Sequence, residues 1–254
     1  MALNFNTEPY YDDYSEGKNF HRILFKPGVA VQARELTQLQ TILQNQIARF
    51  GKHVFKDGSM VLPGNTYLDK NYNYVKLQAQ YNSTDITLTN FLDRTLKGQT
   101  TGVRAKVLKI DEATDTDPAT IYVKYLDSGT DFATTVFDNG ETLLTDDGGT
   151  QYGAVAAASS ATGKSIAVSI NTGVYFVRDC FVRVEANTII LDKYTTSANN
   201  KVGLTIVESF VTSDTDETLL DPAVGTYNYF APGADRYQIV LELDKRDLND
   251  STAS

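Results

Sequence analysis

The chain has 254 residues, enough for one large or two medium domains, and 41% hydrophobic and 22% charged residues are ordinary for a globular protein. A formal net charge of −9 with no basic run argues against a direct nucleic-acid role, because neutralising phosphates requires concentrated Lys and Arg. The single cysteine, Cys180, excludes an intramolecular disulfide and a metal–thiolate cluster, and no apolar run is long enough to span a bilayer.

Residues 1–26 interleave Phe5, Tyr10, Tyr11, Tyr14 and Phe20 with Glu8, Asp12, Asp13 and Glu16, without helical or strand period, which predicts an extended arm. Aromatic side chains in such an arm cannot all bury on their own backbone, so the arm is expected to dock on a partner, with a disordered tail or wrapping on its own domain as the alternatives. The next stretch, Pro27 to Gly64, is the only long segment with a helical period. Leu36, Leu39, Leu43, Ile47 and Phe50 fall within an arc of roughly 80° at 100° per residue, a narrow apolar seam. Arg34, Gln38, Asn45 and Arg49 occupy the opposite face. Two placements fit such a seam: packing on the chain's own β-domain, or self-association as in a coiled coil. Gly51 is expected to stop the helix, and Asp57-Gly58 to turn a hairpin between 52–56 and 59–62.

After the hairpin, strands are expected around Tyr67 to Leu77. From Ser83 the character changes to short alternating runs separated by Asp-, Gly- and Thr-rich loops: Val103 to Val107, Ile121 to Tyr125 and Glu141 to Leu144. Residues 83–165 are read as a small β-domain inserted into the main one. Ser165 to Ile170, Val174 to Val184, Thr188 to Leu191, Val202 to Thr212 and Tyr237 to Leu243 supply further strands. The expected fold is mainly β: an amphipathic helix followed by a hairpin, and a sandwich- or barrel-like main domain in two parts, 27–82 and 166–248. A polar tail, 249–254, leaves open a longer natural chain.

Candidate chemistry is sparse. Ala158 to Ser165 satisfies a relaxed phosphate-loop pattern, but that chemistry needs a helix starting at Lys164, and the residues from Ser165 alternate like a strand. The acidic groups Asp111, Glu112, Asp115, Asp117 and Asp214, Asp216, Glu217 lack the spacing of a calcium loop and read as solvated turns. His21 and His53 lack identifiable carboxylate partners for a metal, and no nucleophile with a paired base is evident. Tyr227, Tyr229 and Tyr237 suit either sugar stacking or a subunit interface. No catalytic residue, cofactor or metal is assigned.

The run FNTEPYYDDYSEGKNFHRILFKPGVAVQARELTQLQTILQNQIARFGKHVFKDGSMVLPG resembles the N-terminus of virion structural proteins of contractile-tailed phages of cyanobacteria and marine bacteria. The stretch GVYFVRDCFVRVEANTIILDKYTTSANNKVGLTIVESFVT and the later YNYFAPGADRYQIVLEL resemble the remainder of the same domain. The resemblance implies a tail component, at the baseplate or the base of a fibre, assembled in the host cytoplasm and carried in the virion. Fibre proteins of this kind are built around threefold axes, so the resemblance implies a homotrimer that also contacts other tail proteins, without nucleic acid or membrane insertion. A receptor-binding adhesin recognising a host glycan through residues 83–165 is the alternative.

Overall fold

The computed structural model describes residues 4–250; of the expected polar tail, 251–254 lie outside the described residues. One long helix, α1 (Ala33–Val54), precedes a series of strands: β1 (Ser59–Leu62), β2 (Thr66–Lys76), β3 (Gln80–Tyr81), β4 (Thr84–Asp85), β5 (Thr95–Gly98), β6 (Arg104–Asp111) and β7 (Thr120–Asp127). They continue with β8 (Thr142–Thr145), β9 (Gly153–Val155), β10 (Thr162–Ile170), β11 (Gly173–Val177), β12 (Cys180–Val184), β13 (Asn187–Asp192), β14 (Asn200–Val211) and β15 (Arg236–Asp247). The protein is mainly β with an N-terminal helix.

Contacts divide the chain into two units. One comprises Thr66–Ser169, Thr188–Val202 and the residues from Lys245 on. Its body is an eight-stranded sheet in the order β13-β10-β2-β7-β6-β5-β8-β9. The alternating runs pair as their pattern suggests: Ala105 faces Tyr125 and Val107 faces Val123 across the antiparallel β6–β7 ladder. Val75, Phe91, Leu96, Val107, Ile121 and Leu143 belong to one continuous buried cluster. Burying large apolar side chains in this way is the main term holding such a sheet together.

One buried carboxylate ties the loops of this unit. Glu141, 3% exposed, accepts hydrogen bonds from the backbone N–H groups of Thr100 (2.8 Å), Thr101 (2.6 Å) and Asp138 (3.0 Å), and from the Thr101 hydroxyl (2.9 Å). A buried charge is tolerable only when its lone pairs are met in this manner. The phosphate-loop look-alike is part of strand structure: Ser165 lies inside β10 and its hydroxyl donates to the Tyr72 carbonyl at 2.7 Å.

The other unit comprises the residues up to Asn65, Ile170–Asn187 and Gly203–Asp244. It holds α1, the three-stranded sheet β1-β11-β12, and the paired segments of β14 and β15 that fall within it. Two local expectations change here. Lys52 to Val54 form the last turn of α1 rather than a strand, and β1 takes its partner from β11, with Ser59 opposite Phe176. Asp57-Gly58 still turns the chain, Gly58 having φ +81, but into a strand paired with a remote segment. Gly51 lies inside the helix and is buried: a Cβ there would sit 2.5 Å from the Phe176 ring. Glycine at this position serves the close approach of helix and sheet, not a helix stop.

Candidate functional site

The candidate site is the outer face of α1. Glu35 closes the N-terminus, its carboxylate accepting from the Gln32 backbone N–H at 2.9 Å. At the other end the Phe55 N–H donates to the Gly51 carbonyl at 2.7 Å, and the Phe55 ring meets Phe176 and Phe181 at 6.0 and 5.8 Å. With both ends fixed, the helix has a defined rotation about its axis.

That rotation runs against the ordinary pattern for a helix on a globular core. Ile42 (4% exposed) and Gly51 are buried, and Thr41, Asn45 and Ala48 are half-buried, so the face turned to the protein is largely polar or small. The apolar seam faces outward. Leu36 is 51% exposed, Leu43 58%, Ile47 54% and Phe50 68%, with Leu39 at 36%. Val54, on the same stripe, is 55% exposed; the sequence reading missed it because it ended the helix at Gly51.

The cations of α1 are held from within the unit. Arg34 pairs with Asp13 (3.7 Å), Arg49 with Glu16, and Lys52 with Asp179 (2.8 Å). Each of these pairs is surface-exposed and individually contributes little. The first two place Asp13 and Glu16 of the arm beside basic positions of the helix, and the third ties its last turn to the β11–β12 turn.

The aromatic arm divides in two. Phe5 packs edge-on against Tyr237 (5.0 Å) and Phe210 (5.8 Å), and Tyr10 stacks on Phe210 (5.3 Å) while its hydroxyl donates to Asp235 at 2.6 Å. These two side chains are therefore engaged on their own unit rather than held out for a partner. The hydrogen bond to Asp235, with burial, raises the Tyr10 pKa above the ordinary tyrosine value. Burial, with the Glu208 carboxylate, pushes that of Tyr237 up to about 12. Asp12, 7% exposed, accepts from the Thr41 hydroxyl and so pins the arm to the inner face of α1. Tyr14 is half-buried, whereas Tyr11 and Phe20 remain exposed. The receptor for the arm, Phe210 and Tyr237, stood in alternating strand runs, but nothing in the sequence indicated that the arm would return to them.

A cleft of about 540 Å³ separates the arm from the flank of α1, lined among others by Tyr10, Asp12, Gln40, Gln44, Phe210 and Tyr237. Its carboxylates already accept hydrogen bonds from Thr41, Tyr14 and Tyr10. His21 and His53 are both exposed, and among the described residues no three His, Cys, Asp or Glu side chains gather as a metal site. Asp111 and Asp117 instead hold the Lys193 ammonium at 2.9 and 3.2 Å. No helix of the described residues is long and apolar enough to cross a membrane.

The feature that stands out among the described residues is an apolar helix face turned outward from its own unit. The chain belongs to the family described as domain of unknown function (DUF4815), whose model matches residues 8–120 and 133–253. The matched residues take in α1, most of the arm and most of both units. Comparison with curated proteins and with solved structures returns no match.

Proposed function

We propose that the chain is a non-enzymatic structural protein of a phage tail, a baseplate or fibre-attachment component that assembles as a homotrimer and docks to other tail proteins. The tail assignment is supported by the sequence resemblance of the N-terminal run and of the later stretch from Gly173. The oligomer is supported by one observation above the others: α1 turns its polar face to its own unit and its leucine seam to the outside.

The energetics favour this use. A 22-residue helix alone in water is marginal, and about two heptads of seam would not hold a bundle together. Here the sheet and the arm already order the helix, so association does not carry the cost of forming it. Withdrawing the half-exposed seam side chains from water contributes on the order of 1 kcal/mol each. Several such helices meeting at an axis, with exposed Tyr11 and Phe20 left for neighbouring tail proteins, give binding by avidity.

The test is the solution mass of the full chain by light scattering, beside a Leu39→Asp, Leu43→Asp variant. The expected wild-type mass is three times 28.0 kDa, and the variant is expected as a folded 28.0 kDa monomer. A folded wild-type monomer across the accessible concentration range would overturn the reading.

A second reading, an adhesin that recognises a surface glycan through residues 83–165, draws on the exposed ring of Phe132 in that stretch. Glycan binding by the full chain that is lost in Phe132→Ala would favour it over the tail-assembly role.

A further inference from the structure

Because α1 runs on through Gly51 to Val54, its exposed apolar positions are Leu36, Leu39, Leu43, Ile47, Phe50 and Val54. The steps are three, four, four, three and four. The second triplet therefore repeats the first eleven residues later: 36 to 47, 39 to 50, 43 to 54. A seven-residue repeat would place Gln46 in the stripe instead of Ile47. An eleven-residue repeat corresponds to about 3.67 residues per turn, close to the 3.6 of a straight helix, and helices packed along it coil slightly to the right.

We propose that this stripe is covered by α1 of further copies of the same chain, parallel and in register about a common axis, in an eleven-residue-repeat bundle rather than a heptad coil. The inference rests on the homo-oligomer reading and specifies its geometry. Two observations name a copy of this chain as the occupant. First, the helix positions that border the stripe on its two sides are Gln40 and Gln46, both exposed and uncharged. An amide carries both donor and acceptor, so identical side chains brought together by symmetry satisfy each other. Second, the cations of the helix are occupied elsewhere, Arg34 by Asp13, Arg49 by Glu16 and Lys52 by Asp179. Identical helices can then meet without bringing like charges into the contact, which would oppose self-association. Parallel orientation follows from closure: more than two copies related by rotation about an axis along the helix all point the same way.

The experiment uses the full chain with Cys180→Ser as background. Leu36→Cys and Val54→Cys are each oxidised alone, and also together after the two reduced variants have been mixed and allowed to exchange subunits. Parallel, in-register packing predicts that each cross-links to itself and that no 36-to-54 product forms. In the same background, Ile47→Asp is expected to reduce the mass to 28.0 kDa while Gln46→Asp keeps the wild-type mass. An oligomer that cross-links only between 36 and 54, or not at all, overturns this geometry and leaves the homo-oligomer reading standing. Dissociation by Gln46→Asp but not by Ile47→Asp overturns the eleven-residue repeat in favour of the heptad. A monomeric background chain that remains folded overturns both readings together.

Discussion

Two local rules compete at Gly51. Glycine near the end of a periodic segment commonly terminates a helix, and glycine also permits two backbones to approach closely. Here the second rule applies, with the Phe176 ring against the position of the missing Cβ. Exchanging Gly51 for Ala improves helix propensity by up to about 1 kcal/mol, but it drives a methyl into a ring held between Phe55 and Phe181, and such overpacking costs about 1 to 3 kcal/mol. We expect Gly51→Ala to lower the urea midpoint by an amount corresponding to about 1 to 2 kcal/mol. Adding Phe176→Leu should recover part of that loss. A rise in the midpoint on Gly51→Ala would show that the ring steps aside and that propensity prevails.

At the scale of elements, periodicity was a good guide and pairing was not. The apolar stripe of α1 was legible except for Val54, because a 3.6-residue period needs only neighbours along the chain, but its outward direction was not, since the same stripe also suits packing on the chain's own β-domain. The hairpin over 52–62 was not, because turn chemistry at Asp57-Gly58 says that the chain reverses, while the partner of β1 lies more than a hundred residues away. The same limit hid the return of Phe5 and Tyr10 to Phe210, and the role of Glu141, which the sequence placed at the start of a strand and the fold uses as an acceptor for three backbone N–H groups. Long-range ion pairs are of this kind too. Arg94 grips Asp147, with a 2.6 Å bond from Nε, and holds the aspartate pKa down to about 2. A carboxylate depressed in the folded state contributes stability above its unfolded value and loses it as the pH falls through the folded one. The contribution of this pair is therefore present above about pH 4 and disappears toward about pH 2. Asp147→Asn should flatten the fall of the thermal midpoint over that interval and leave the neutral-pH slope unchanged; an unchanged acid slope would show that the pair does not persist in solution.

For the whole molecule, an oligomer held by an outward seam links stability to concentration. Any partner that binds only the folded state raises its apparent stability by mass action, and in the proposed oligomer the partner is the protein itself. The thermal midpoint of the wild-type chain should rise with each tenfold increase in chain concentration, whereas that of Leu39→Asp, Leu43→Asp should not move. Raised salt should change the wild-type dependence little, since the stripe and its glutamine flanks carry no charge and apolar burial is not screened.

The inward polar face of α1 has a further consequence for the order of events. The direction in which the leucines point is set by Gly51 against Phe176, by Asp12 on Thr41, and by the acids of the arm, all of which exist only once the unit has closed. A chain that has not completed its sheet has no means of aiming the seam, and so presents nothing to its siblings that matches their stripe. In the proposed oligomer, joining the complex thereby acts as a proofreading step: copies enter by virtue of being correctly built, and defective ones are excluded without any separate inspector.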